Sequence, residues 1–130
     1  MDDLITAAKA ARAAAHAPYS KFYVGAAMRD EQGRVFGGCN IENAAYPQGW
    51  CAEPSAISHL IMAGGKRITE VAVMGNGNTL CTPCGGCRQK IREFANGDVK
   101  IHCCTEDGDL IQTFTLEDLL PFSFGPENLA

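Results

Sequence analysis

The chain has 130 residues, 46% of them hydrophobic, and a formal net charge of −4. That length predicts a single domain, residues 1–130, which buries roughly two-thirds of its unfolded surface. The acidic balance argues against nucleic acid as a partner, no apolar run approaches the ~20 residues of a membrane helix, and the acidic start Met1-Asp2-Asp3 lacks the basic and greasy regions of a secretion signal, so a cytoplasmic location is expected.

An alanine-rich helix is predicted from Met1 to His16, stopped by Pro18. Phe22, Val24, Ala26 and Met28 then alternate with Tyr23, Gly25, Ala27 and Arg29, the period of a strand. Asp30-Glu31-Gln32-Gly33 turns the chain into a second strand over Val35 to Cys39. A loop from Asn43 to Trp50 delivers Cys51 to the start of a helix that runs to Ala63 and is closed by Gly64-Gly65. Val71 to Met74 reads as a buried strand, and Gly75 to Pro83 as a polar loop. A helix follows from Gly85 to Asn96, with Cys87, Ile91 and Phe94 along one side. Val99 to Cys104 and Leu110 to Phe114 supply two more strands. Thr115 and Asp118 cap a last short helix, which Pro121 ends. Strands alternating with helices predict a layered α/β domain.

Seven cysteines, an odd number, favour metal and free thiols over a disulfide framework. Two strings organise three of them: Cys51-Ala52-Glu53 and, after 29 intervening residues, Pro83-Cys84-Gly85-Gly86-Cys87. Three protein ligands leave a zinc ion its fourth position, the layout of a catalytic rather than a structural site. A carboxylate two residues past the first thiol, followed by Pro-Cys-x-x-Cys, is the pattern of zinc deaminases that act on nucleobases. Both strings fall at predicted helix starts, where unpaired N–H groups and the helix dipole are expected to lower thiol pKa values. Taken alone, Cys84-x-x-Cys87 reads equally well as a redox pair. Cys81 adds a rival, since Cys81, Cys84 and Cys87 have the close spacing of iron–sulfur ligands, with Cys51 as a fourth. Cys39, Cys103 and Cys104 fall in strands and are most simply small core residues. His59 reads as surface or packing.

The two strings together, with Pro18-Tyr19-Ser20-Lys21-Phe22, Val24-Gly25-Ala26-Ala27, Asn40-Ile41-Glu42-Asn43-Ala44-Ala45-Tyr46, Cys87-Arg88-Gln89 and Gly125-Pro126-Glu127, resemble the short, three-cysteine, homotetrameric cytidine deaminases over nearly the whole chain. The resemblance implies a three-layer α/β/α fold with a central mixed sheet of about five strands, and one Zn2+ per subunit on Cys51, Cys84 and Cys87. It implies hydrolytic deamination of cytidine and deoxycytidine, with Glu53 moving protons between water and the pyrimidine. Phe22 is then expected against the base, Asn40 and Glu42 on the ribose hydroxyls, and the backbone around Ala52 and Thr82 at the amine and N3 edge. Tyr46 and Phe124 match residues that complete a neighbouring subunit's pocket. Without the resemblance, Phe22 is a core strand residue and Asn40-Ile41-Glu42 a solvated strand exit.

The sequence departs from that pattern at Pro54, where the usual string has an arginine that hydrogen-bonds the zinc thiolates. Proline is tolerated in a helix's first turn, so the helix should survive, but three thiolates on one dication leave a net −1. Arg88 and the two helix starts are the expected sources of compensation. Two other readings stay open: a deaminase of another aminopyrimidine nucleoside, such as a blasticidin-type antibiotic, and a non-catalytic zinc or iron–sulfur module indifferent to Glu53.

Overall fold

The computed structural model describes residues 1–130. In chain order the elements are α1 (Asp2–Ala13), β1 (Gly25–Asp30), β2 (Val35–Cys39), α2 (Ala52–Met62), β3 (Ile68–Met74), α3 (Gly85–Arg92), β4 (Lys100–Cys104), β5 (Leu110–Thr115) and α4 (Leu116–Leu119), with 3-10 turns at Tyr46–Gln48 and Pro126–Asn128. The five strands form one sheet in the order β2-β1-β3-β4-β5. β3 and β4 are parallel and the other three pairs antiparallel, so the sheet is mixed, as expected.

The side-chain alternation of the strands divides the core into two layers. Ala26, Met28, Val71, Val73, Ile101 and Cys103 face Ala52, Ala56, Leu60 and Ile91 of α2 and α3. Ala27, Ala72, Met74 and Cys104 face Leu4 and Ala8 of α1. Helices therefore cover both faces, which is the three-layer α/β/α arrangement. Central β3 is covered on both sides, and this is why its last four residues read as an unbroken apolar run.

The helices approach β1 and β2 closely because glycine leaves room for them. A Cβ on Gly38 would lie 2.3 Å from the Ala56 nitrogen and 2.6 Å from the Ala52 carbonyl oxygen, so α2 rests on bare backbone. On the other face, a Cβ on Gly37 would lie 3.3 Å from both the Ala11 Cβ and the Ala7 oxygen of α1.

Several element boundaries differ from expectation, each for a local reason. α1 ends at Ala13 rather than His16, because the His16 backbone bonds to Asn40 and Glu42 in a bridge beside Ile41. β1 begins at Gly25 rather than Phe22, because the backbone of residues 21–24 is held largely by the side-chain amides of Asn40 and Asn76. α3 stops at Arg92, and the chain continues to Val99 in tight turns. β3 is longer than expected and starts at Ile68.

α2 closes as its two glycines suggest. Gly64 has φ +92°, and the N–H groups of Gly65 and Gly64 donate back to Leu60 and Ile61, satisfying carbonyls the helix leaves free. Thr115 and Asp118 form the reciprocal capping box of α4. His59 packs edge-on against Phe36 near the Gly37 carbonyl, a packing role.

Candidate metal centre and active site

Cys51 is the N-cap of α2 and Cys84 the N-cap of α3, with Cys87 in the first turn of α3. The three sulfurs lie within 4.8 Å of one another, and Cys84 and Cys87 are 3.4 Å apart. Ligands about 2.3 Å from a tetrahedral ion sit ~3.8 Å from each other, so this donor set fits a zinc ion. Cys51 and Cys84 are exposed while Cys87 is buried, which leaves the group open on one side. Cys81, only half-buried, is not part of the group. With three clustered thiols instead of four, the iron–sulfur arrangement is not formed.

The helix-start argument holds for one thiol of the three. Burial raises the Cys84 pKa, but the backbone N–H of Cys87 and the neighbouring thiols outweigh it, and Cys84 lies below the ordinary thiol value. Cys51 and Cys87 go the other way: burial pushes both up, and the charge of Glu53 adds to the rise. The expectation that both helix starts lower their thiols is therefore corrected at Cys51. Desolvation is the largest cause of the rise there.

Glu53 is 4% exposed, in the first turn of α2. Burial pushes its carboxyl above the ordinary carboxylate value, opposed by the nearby Cys87 thiol and the charge of Lys90. Ala52, next to it, is fully buried. Pro54 is also buried, and α2 is unbroken around it, as expected for a proline whose missing N–H needs no partner in a first turn.

Arg88, one candidate for offsetting the thiolate charge, makes its hydrogen bonds elsewhere. Its guanidinium donates to the Pro83 carbonyl at 2.7 Å, the Leu119 carbonyl at 2.8 Å and the Thr82 hydroxyl at 2.9 Å. It therefore ties the loop before Cys84 to the end of α4. Thr82, a predicted base-edge residue, is held in place by this contact.

Backbone pairing joins the Asn40–Glu42 stretch to the sulfur group. Ile41 and Trp50 exchange two hydrogen bonds of 2.9 Å, and Trp50 directly precedes Cys51. Asn40 and Glu42 thus flank the bridge that leads into the first thiol. The Glu42 carboxylate accepts from the backbone N–H groups of Tyr19 and Ser20 and from the Ser20 hydroxyl. These bonds lower its pKa below the ordinary value, the Ser20 hydroxyl most of all. A cavity of about 340 Å3 is lined by Tyr19, Ser20, Glu42, Asn43, Tyr46 and Gly49. It contains two of the predicted substrate contacts, Glu42 and Tyr46, but none of the sulfurs.

Phe22 is half-exposed and is not in the core. Its ring tip and the Cys81 Cβ both come within 3.0 Å of where a Cβ on Gly75 would stand. Tyr46 is exposed and meets Tyr19 edge-on at 5.9 Å. The Phe124 ring is exposed as well, and its carbonyl accepts from Gln89 of α3 at 2.9 Å.

A family model described as the cytidine and deoxycytidylate deaminase zinc-binding region matches residues 2–103. The chain belongs to that deaminase family. It is 41% identical to the cytidine deaminase of Sporosarcina psychrophila, across all of this chain and 95% of that one. The crystal structure of cytidine deaminase from Burkholderia pseudomallei superposes with a TM-score of 0.87 at 41% identity, covering 95% of this chain and 98% of that one. The crystal structure of the Mycobacterium tuberculosis enzyme gives 0.84 at 36% identity, with 95% and 96% covered. This deaminase is accordingly a zinc-dependent hydrolytic enzyme with the α/β fold of its family.

Two features of the deaminase escaped the sequence reading. Asn76, in what reads as a plain Gly-Asn-Gly turn after β3, bonds to Tyr23 and Lys21, just before the neighbouring β1. Lys90, one turn beyond Cys87, places its ammonium over the Trp50 ring. A lone asparagine between two glycines was the available signal for the first, and nothing in the sequence announced the second.

Proposed function

We propose that the chain deaminates cytidine and deoxycytidine to uridine and deoxyuridine, releasing ammonia, as one catalytic domain over residues 1–130. The observation that carries this reading is the buried Glu53 carboxyl, two residues from Cys51 and beside a cluster of three thiols with one open side. Cys51, Cys84 and Cys87 would hold the zinc, which supplies a Lewis acid able to ready water for attack near neutral pH.

Glu53 takes a proton from that water and delivers it to N3 of the pyrimidine, which makes C4 electrophilic. The water oxygen bonds to C4, Glu53 carries the remaining proton of that oxygen to the exocyclic amine, and the C4–N bond breaks as the C4 carbonyl forms. One water is consumed and one ammonia released. Proton transfer of this kind contributes about 10²–10⁴-fold.

Phe22 supports the base, and the Ala52 and Thr82 backbone faces its amine and N3 edge. Glu42 accepts from the ribose hydroxyls with the lone pairs its bonds to Tyr19 and Ser20 leave free. Asn40, whose amide oxygen and nitrogen each have further capacity, assists at the sugar. The exposed Tyr46 and Phe124 rings fit a homotetramer in which each pocket is completed by neighbouring subunits. No helix is long and apolar enough to cross a membrane, and the reading includes a cytoplasmic role in pyrimidine salvage.

The test is ultraviolet monitoring of cytidine, deoxycytidine and deoxycytidylate with purified protein, alongside ammonia release, zinc content and solution mass. Loss of cytidine absorbance with stoichiometric ammonia supports the reading. Turnover confined to the nucleotide, or none with zinc bound, defeats it.

A further inference from the structure

A metal centre of three thiolates and one dication carries a net −1, and in a half-buried site that charge needs an opposite neighbour. Pro54 has no donor to offer, and the Arg88 guanidinium directs its N–H groups to Pro83, Leu119 and Thr82 instead of to a sulfur, leaving it only its charge to contribute. One other cation stands beside the site. Lys90 lies on α3, one turn past Cys87, with its ammonium 5.3 Å from the centre of the Trp50 ring. It also lies 3.8 Å from where a Cβ on Gly86 would be, over the turn between Cys84 and Cys87.

Trp50 immediately precedes Cys51, so the Lys90 side chain spans the two segments that bring the sulfurs together. Trp50, Pro54 and Lys90 line one hollow of about 390 Å3, with Glu93 on its wall, so Lys90 and Pro54 share one side of the α2–α3 pair. The ring face seats the cation in a defined position instead of leaving it loose in solvent.

We propose that Lys90 is a positioning residue that adds positive charge to the three-thiolate centre from a seat on Trp50. The proposal rests on the zinc deaminase reading above. It adds a residue that touches neither substrate nor metal, and it explains how an active centre tolerates proline at position 54. The effect is Coulombic and partly exposed to solvent, so it is modest in size and sensitive to salt.

The experiment measures zinc affinity of the wild-type protein, Lys90→Met, Lys90→Arg, Trp50→Leu and the remote control Lys66→Met. The readout is competition with a chromophoric chelator at low and high ionic strength, with circular dichroism to confirm folding. At low salt, Lys90→Met is expected to bind zinc about tenfold more weakly, and Trp50→Leu about threefold. Lys90→Arg should stay within about threefold of wild type and Lys66→Met should be unchanged. Near 1 M salt, where screening acts within ~3 Å, the Lys90→Met deficit should shrink to about twofold.

Unchanged affinity in Lys90→Met, equal losses in the methionine and arginine variants, or a deficit indifferent to salt would each overturn the proposal. Lys90→Gln provides a second uncharged side chain should the methionine variant misfold. A wild-type protein that binds zinc but leaves cytidine intact defeats the substrate reading while the charge comparison stands. One that binds no zinc defeats both.

Discussion

Asn40 and Asn76 hold the segment before β1 from opposite flanks. The Asn40 amide accepts from the Val24 N–H at 2.9 Å and donates to the Phe22 carbonyl at 2.9 Å. The Asn76 amide accepts from the Tyr23 N–H at 3.0 Å and donates to the Lys21 carbonyl at 2.8 Å. Each side chain imitates a peptide group of a neighbouring strand, and between them they fix the backbone on both sides of Phe22. Arg12 of α1 donates to the same Asn76 oxygen at 2.7 Å, so the clamp is itself anchored.

Asn76→Ala should therefore loosen Phe22 without touching substrate. Leaving these partners unsatisfied is expected to cost about 2 kcal/mol of stability. Chemical denaturation measures that loss, and steady-state kinetics should show a raised KM for cytidine with a smaller change in kcat.

Glu53→Gln should keep its zinc, because Glu53 is not among the clustered thiols. Turnover is expected to fall by about 10²–10⁴-fold or more. Metal analysis beside single-turnover rates checks both halves of this expectation. A zinc-loaded variant of wild-type activity would remove Glu53 from the reaction.

Cys81 and Cys84 should differ sharply despite their spacing. Cys81→Ser is expected to retain one zinc per chain, since its sulfur stands outside the cluster, whereas Cys84→Ser should lose the metal. Zinc quantified after gel filtration distinguishes them.

Gly38→Ala tests the seat of α2. The added methyl would meet backbone atoms at 2.3 and 2.6 Å, which no rotamer change can relieve. Overpacking of this sort costs about 1–3 kcal/mol. A lowered melting temperature with weakened zinc retention is expected, because Cys51 caps the displaced helix.

Asp30 sets an acid limit on stability. It is 1% exposed; burial raises its pKa, but the backbone N–H and guanidinium of Arg34 and the Gln32 N–H outweigh that and hold it below the ordinary value of 3.8. A carboxyl lowered in the folded state stabilises the fold above its unfolded pKa and loses that contribution as pH falls through the folded one. The melting-temperature gap between wild type and Asp30→Asn should thus be constant from neutrality to about pH 4 and shrink below it. Scanning fluorimetry over that range measures the gap.

The order of elements was legible in the sequence because each relies on local signals: alternation in the strands, Gly64-Gly65 behind α2, and the Thr115–Asp118 box. The three thiols and Glu53 were legible because they sit in two short strings. What was hidden depends on partners far away in the chain. β1 starts late because amides from Asn40 and Asn76 take the place of a strand neighbour, and α1 ends early because His16 is bound beside Ile41. Arg88 was a reasonable candidate for the thiolates by adjacency to Cys87, yet its side chain turns to Leu119, 31 residues on. Lys90 and Trp50 are 40 positions apart, and only folding shows that they meet.

The adjacent glycines 37 and 38 present opposite sides of β2 to two different helices. A single thickness of main chain separates the amino-terminal helix from the one that carries Glu53. A substitution that tilts the former is expected to press on the latter through that thin partition. Substitutions on the Ala7–Ala11 ridge, remote from every sulfur, can therefore slow the chemistry while leaving each reacting group in the sequence untouched.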